Sequence, residues 1–186
     1  MKAINDGGPL LIQIDDIFSL EQCKALIQAA ETSGGFKLED RGNAQYDRVM
    51  MVRPDLASLL FQRLKLIIPD EVDGNQVTGL NDHFRFSKYH PGQQFGIHRD
   101  GINQDATGAR SALTLNIFLN DDFEGGSTDF FHTRNEDDLR FSVKPKPGRG
   151  ALFFAQQYHC GRQVTKGFKY LLRTDVMVMD VFNVRH

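Results

Sequence analysis

The chain has 186 residues, 25% of them charged and 40% hydrophobic, with a net charge of −2 at pH 7. That length and balance predict a single domain, 1–186, large enough to bury its own core. They argue against a nucleic-acid partner, which would leave a basic stripe, and against a membrane, because no apolar run approaches the roughly 20 residues needed to span one.

The N-terminal stretch MKAINDGGPLLIQIDD has too short an apolar patch for a signal peptide. Residues 10–18 (LLIQIDDIF) predict a short strand. Ser19 then reads as the N-cap of a helix over about 20–32, with Gln22 completing a capping box. Leu20, Cys23, Ile27 and Ala30 form its apolar face, and Gly34-Gly35 ends it. Pro54 opens a second helix whose apolar face is Leu56, Leu59, Leu60, Leu64 and Ile67, stopped by Pro69.

From residue 80 the texture changes. LNDHFRFSKY, FGIH, SALTLNIFLN, STDFFH, DLRFSV, GALFFA and KYLLRTDVMVM are short β-branched or aromatic runs separated by turn residues. The expected fold is therefore α+β and mainly β. It would be a jelly-roll barrel over 76–186, supported by helices within 1–75. The two cysteines, Cys23 and Cys160, form no disulfide framework or zinc knuckle. Both read as packed thiols, and a reducing, cytoplasmic setting is expected.

His98-Arg99-Asp100 is the one place where a histidine has a carboxylate at strand period. Residues two apart on a strand share a side, so His98 and Asp100 can converge while Arg99 points away. A third ligand must come from a distant strand, and His159, 61 residues later, ends the apolar run ALFFAQQYH. Two imidazoles and one carboxylate filling one face of an ion are the donor set of a non-haem Fe(II) site. Taken alone the triplet reads equally as a solvated loop histidine beside an acid. His83, His90, His132 and the terminal His186 lack a comparable arrangement. The His-Arg-Asp spelling of a protein-kinase loop fails, because Asp105 stands where an asparagine is required and the glycine-rich loop is missing.

Four ordered stretches, FRFSKYHPGQQFGIHRDG, LTLNIFLNDDFEGGSTDFF, VKPKPGRGALFFAQQYHCG and VTKGFKYLLRTDV, resemble the prolyl and lysyl hydroxylase branch of the 2-oxoglutarate and Fe(II)-dependent dioxygenases. The resemblance runs from about Asn81 to Asp180. It implies that His98, Asp100 and His159 bind iron and carry the catalysis. It implies that Lys169, ten residues past the distal histidine, pairs with the far carboxylate of 2-oxoglutarate. Arg173, four residues on along the same strand, is the alternative or helper. Tyr89 would donate a hydrogen bond to the same carboxylate. Asn116, Thr128 and Arg85 are further pocket candidates. Phe95 departs from the tyrosine often found there, and Tyr170 from a frequent tryptophan.

The implied cofactors are Fe(II) and 2-oxoglutarate as co-substrate, with ascorbate as an accessory reductant. The implied reaction is hydroxylation of an organic substrate, a small molecule or a peptide or protein side chain, with release of succinate and CO2. Asp100 argues against halogenation, which needs that coordination position for halide. Two rivals stand beside this reading. One is a barrel that binds metal and a small acid as a sensor without turnover. The other is a zinc or manganese hydrolase, which would want a further histidine or glutamate beside the triad.

Overall fold

A computed structural model describes residues 1–180; His186 lies outside them. The elements in chain order are β1 (Lys2–Ala3), β2 (Leu11–Ile14), α1 (Leu20–Thr32), β3 (Lys37–Asp40), β4 (Gln45–Val52), α2 (Pro54–Leu64), β5 (Glu71–Val72) and β6 (Asn75–Leu80). They continue with β7 (His83–Tyr89), β8 (Phe95–His98), β9 (Arg110–Phe118), β10 (Glu124–Gly125), β11 (Thr128–Phe131), β12 (Leu139–Val143), β13 (Gly150–Phe154), β14 (His159–Gly161), β15 (Val164–Lys166) and β16 (Lys169–Met179).

The large sheet runs β1-β2-β13-β9-β16-β7-β4-β3, with β6 also pairing with β16 and β5 with β6. A four-stranded sheet, β12-β11-β14-β8, and the small β10-β15 ribbon complete the strands. Among the described residues the strand pairings are all antiparallel. Strand alternation divides the large sheet between two cores. On β9, Leu113, Leu115 and Ile117 face a cluster that also takes Cys23, Leu26 and Ala30 of α1 and Leu56, Ala57, Leu60 and Leu64 of α2. Phe118, on the other face, joins Phe130, Val143, Phe153 and Leu171. The helices thus back one face of the large sheet, and the other face looks toward the four-stranded sheet.

All seven strands expected after residue 80 are present, and the Ser19–Gln22 capping box forms as read. Three details differ. Leu20 and Leu59 are exposed, and Leu26 takes the buried place on α1; each helix turns a slightly different stripe to the sheet than the apolar count suggested. The first 75 residues are more than helical support, because β4 pairs along β7 and puts side chains into the site. His159 does not end one long strand. β13 stops at Phe154, a turn closed by Gln157 N donating to Phe154 O at 2.8 Å follows, and His159 begins β14 on the other sheet. That crossing lets the distal histidine face His98.

Candidate metal centre and active-site pocket

β14 pairs with β8 so that His159 lies directly opposite His98. Their ring centroids are 4.2 Å apart. The Nδ1 of His98 is 2.9 Å from Gly96 O, and that of His159 is 2.9 Å from Gln157 O. A carbonyl can only accept, so these contacts assign the proton to Nδ1 and leave each Nε2 with a free lone pair. The two Nε2 atoms stand 3.6 Å and 3.7 Å from the two oxygens of Asp100. One ligand atom from each of the three residues lies within 4.8 Å of the others. Phe95 stacks flat on His98, centroids 3.6 Å apart, and so fixes that ring.

Asp100 sits just beyond β8 and is tied down at every polar atom. Its N–H donates to Ala155 O at 2.9 Å, and its carbonyl accepts from Gln156 Nε2 at 2.7 Å. Thr114 Oγ1 donates to Oδ2 at 2.7 Å, and Arg173 Nη1 donates to Oδ1 at 2.5 Å. Burial alone would raise the carboxyl pKa. Arg173 and the flanking imidazoles outweigh it and hold the group well below the usual carboxylate range. Burial pushes the His159 imidazole down to about 4, against the opposing pull of Asp100. A neutral imidazole and an ionised carboxylate are the forms that ligate a cation.

These groups open into a cavity of about 380 Å³ between the two sheets, also lined by Tyr89, Asn116, Thr128, Lys169 and Arg173. Arg85 lines it too. Lys169 is 1% exposed, and its Nζ lies over the rings of Tyr89 at 4.8 Å and Phe118 at 5.3 Å. Among the described residues no carboxylate forms an ion pair with it, and burial pushes its pKa down to about 7. Asn116 Oδ1 is buried without a hydrogen-bond partner among the described residues. Arg173, in contrast, has all three of its nitrogens engaged. Besides Asp100, its Nε and Nη2 donate to Asp175 Oδ1 at 3.3 Å and 3.0 Å. Arg85 Nη1 donates to Asp175 Oδ2 at 2.9 Å.

The arrangement fits both expected groups. Two bare Nε2 atoms and an ionised carboxylate suit a divalent ion bound on one face. A buried lysine without a counter-anion suits the free end of a dicarboxylate. Every residue singled out from the sequence as a ligand or pocket candidate reaches this cavity. Sequence reasoning missed Tyr46 and Arg48 of β4, which also line it. Tyr46 stacks on Tyr89 at 5.1 Å. The available signal was weak: QYDRVMMV holds aromatic and β-branched residues suited to a strand, but its polar and apolar residues do not alternate. It also missed Asp175, an acid inside the otherwise apolar end of β16 and so a buried charge in need of partners.

Comparison with known proteins points the same way. The 2OG-Fe(II) oxygenase superfamily profile matches residues 84–174. A PKHD-type hydroxylase of Klebsiella pneumoniae (strain 342) is 26% identical over 175 residues, covering 86% of this chain and 75% of the relative. The viral collagen prolyl hydroxylase vCPH of Paramecium Bursaria Chlorella virus-1 superposes with a TM-score of 0.67 at 20% identity, over 91% of this chain and 96% of the other. A prolyl hydroxylase of Trichoplax adhaerens, in complex with a hypoxia inducible factor peptide fragment, gives 0.70 at 15% identity, over 93% and 84%. Residues 84–174 thus match the 2OG-Fe(II) oxygenase superfamily, and the chain as a whole is similar to prolyl-hydroxylase-like proteins, which together support a 2-oxoglutarate- and Fe(II)-dependent dioxygenase.

Proposed function

We propose that this dioxygenase hydroxylates a prolyl or other protein side chain, or a small molecule, releasing succinate and CO2. The fold is read as one double-stranded β-helix domain over 1–186. His98, Asp100 and His159 would hold Fe(II). The observation that carries the reading is the convergence of their three ligand atoms in the same cavity as an unpaired buried lysine.

Fe(II) with 2-oxoglutarate supplies oxidative decarboxylation coupled to hydroxylation when both are bound. The chain's own residues do the rest. Lys169 holds the far carboxylate by a charge-assisted contact, and Tyr89 offers its hydroxyl at the same end. Arg173 is better suited to holding Asp100 in place than to binding the co-substrate, because each of its three nitrogens already donates to Asp100 or Asp175. Phe118, Phe153 and Leu171 keep water from the inner end. A peptide is favoured by a second cavity of about 860 Å³ that shares Arg85 and Asn103 with the first, giving a chain room to continue. Both cysteines are free thiols, in keeping with a cytoplasmic setting. No helix among the described residues is long and apolar enough to cross a membrane.

The test is succinate formation from 2-oxoglutarate by protein loaded anaerobically with Fe(II), with and without ascorbate. His98→Ala and Asp100→Ala should abolish it, and Lys169→Ala should raise the 2-oxoglutarate KM steeply. Full activity of His98→Ala would end the assignment.

A further inference from the structure

The pocket is far more cationic than the protein around it. Arg41, Arg48, Arg85, Arg99, Lys169 and Arg173 all line it, in a chain whose net charge is −2. Among the described residues, three carboxylates form ion pairs with these groups. Glu39 is shared by Arg41 and Arg48 at 2.9 Å and 2.5 Å. Asp175 is shared by Arg85 and Arg173, and Asp100 takes Arg173. Six basic groups against three carboxylates leave an excess of three positive charges once Lys169 is protonated opposite a bound dicarboxylate. Loading the site does not remove it, because a divalent ion and a doubly charged 2-oxoglutarate cancel.

Where that excess lies decides what it is for. Lys169 and Tyr89 are the co-substrate's end in the reading above. On β7 and β4 the cavity wall continues as Ser87 and Arg85, with Arg48 opposite Ser87 in register. Arg85 gives one nitrogen to Asp175 and Arg48 one to Glu39, so each keeps further N–H donors. Arg99, which strand alternation would turn away from His98 and Asp100, nevertheless lines the cavity; its guanidinium rests 4.1 Å over the Tyr158 ring, and no described carboxylate pairs with it. Stacked guanidinium groups with free edges are fixed donors suited to a planar anion. A neutral prolyl ring needs none of this. Like charges gathered in a cleft without an anion repel one another, and a bound carboxylate relieves that repulsion.

We infer that the substrate carries a carboxylate, held by Arg48, Arg85 and Arg99 beside the metal site. This rests on the oxygenase reading and narrows it to acidic substrates. The carboxylate could belong to a free amino acid or to an acidic residue of a peptide, and the experiment separates the two.

Matched acid and amide substrates are compared with the Fe(II)-loaded full chain. One arm sets free amino acids against their amides. The other sets end-blocked tripeptides containing Glu or Asp against the same peptides with Gln or Asn. Succinate above the substrate-free background is measured. In one arm the acid should exceed its amide by about tenfold or more in kcat/KM, and the winning arm names the source. Arg48→Gln and Arg99→Gln should each lower that ratio severalfold, and Arg85→Lys should retain it better than Arg85→Gln. Arg99 is exposed and unpaired, so its variant keeps the test valid if Arg85→Gln folds poorly. Equal use of acids and amides, no acid above background in either arm, or a ratio untouched in both Arg48→Gln and Arg99→Gln overturns the inference. Absence of substrate-free succinate from the unaltered protein would instead overturn the oxygenase reading beneath it.

Discussion

Arg173 reaches Asp100 across 73 positions of sequence, Nη1 to Oδ1 at 2.5 Å, while its other donors grip Asp175 two residues along its own strand. A single guanidinium therefore ties the carboxylate of the proposed metal site to the large sheet. Arg173→Leu would leave two buried carboxylates short of a partner. Breaking a buried pair in this way costs about 3–5 kcal/mol. Loss of an orienting contact behind a metal ligand typically weakens metal binding by about 10–100-fold. Urea unfolding and Mn(II) titration check the two effects separately. Unchanged metal affinity in a folded variant would mean that Asp100 is positioned by Thr114 and the backbone alone.

Lys169 gives the apo protein a pH signature. Its folded pKa is about 7, against an ordinary value of 10.5. Between those values the unfolded chain binds a proton that the folded chain lacks, so this group makes stability rise with pH across that window. Below about pH 7 both states are charged and its contribution is flat. Lys169→Met should remove this rise from the difference between the two proteins' unfolding curves. Pairing with a carboxylate favours the ammonium form, so binding 2-oxoglutarate at pH 8 should take up a proton. Calorimetry in two buffers of different ionisation enthalpy would reveal it. An identical heat in both, or uptake that persists in Lys169→Met, would remove the lysine from this role.

How much of this could be read beforehand depended on whether the signal was local. The α1 capping box and the strand runs after residue 80 depend on neighbouring residues, and they form where the sequence placed them. The triad was legible because His98 and Asp100 keep a fixed spacing and His159 ends an apolar run, a choice the resemblance then matched. The route by which His159 arrives was not. Nothing in ALFFAQQYH says that the chain leaves one sheet at Phe154 and joins the other at His159. The part played by β4 was hidden for a similar reason. Its strand-like composition is visible, but its partner, β7, is set by long-range register. Arg173 was placed on the correct face as a co-substrate contact, yet its link to Asp100 depends on a pairing no periodicity encodes.

Gly126 connects a backbone requirement to the Lys169 end of the pocket. Its φ is +65°, and a Cβ there would meet Phe123 Cε2 at 2.7 Å and Lys169 Cδ at 3.1 Å. Gly126→Ala therefore carries both a strained conformation, of order 1–3 kcal/mol, and a push on the lysine stem. The expected result is a lower melting temperature together with a 2-oxoglutarate KM raised severalfold, with Mn(II) affinity nearly unchanged because the triad lies elsewhere. A stability loss with no change in KM would show that the lysine accommodates the methyl group.

Phe95 stands where related chains often carry tyrosine, and its contact with His98 explains why the change is tolerable. The two rings lie 3.6 Å apart at 5°, with Tyr46 stacked on Phe95 at 5.7 Å. The packing needs a flat ring and no hydroxyl. Phe95→Tyr should thus keep metal affinity, while Phe95→Ala should free the imidazole to rotate about its single anchor at Gly96 O. Aromatic stacking contributes about 0.5–1.5 kcal/mol beyond burial, so Mn(II) binding should weaken by up to about tenfold in the alanine variant. His159, buried and held at Gln157 O, should bind as before. Equal affinity in all three proteins would show that the Gly96 hydrogen bond orients His98 without help from the ring above it.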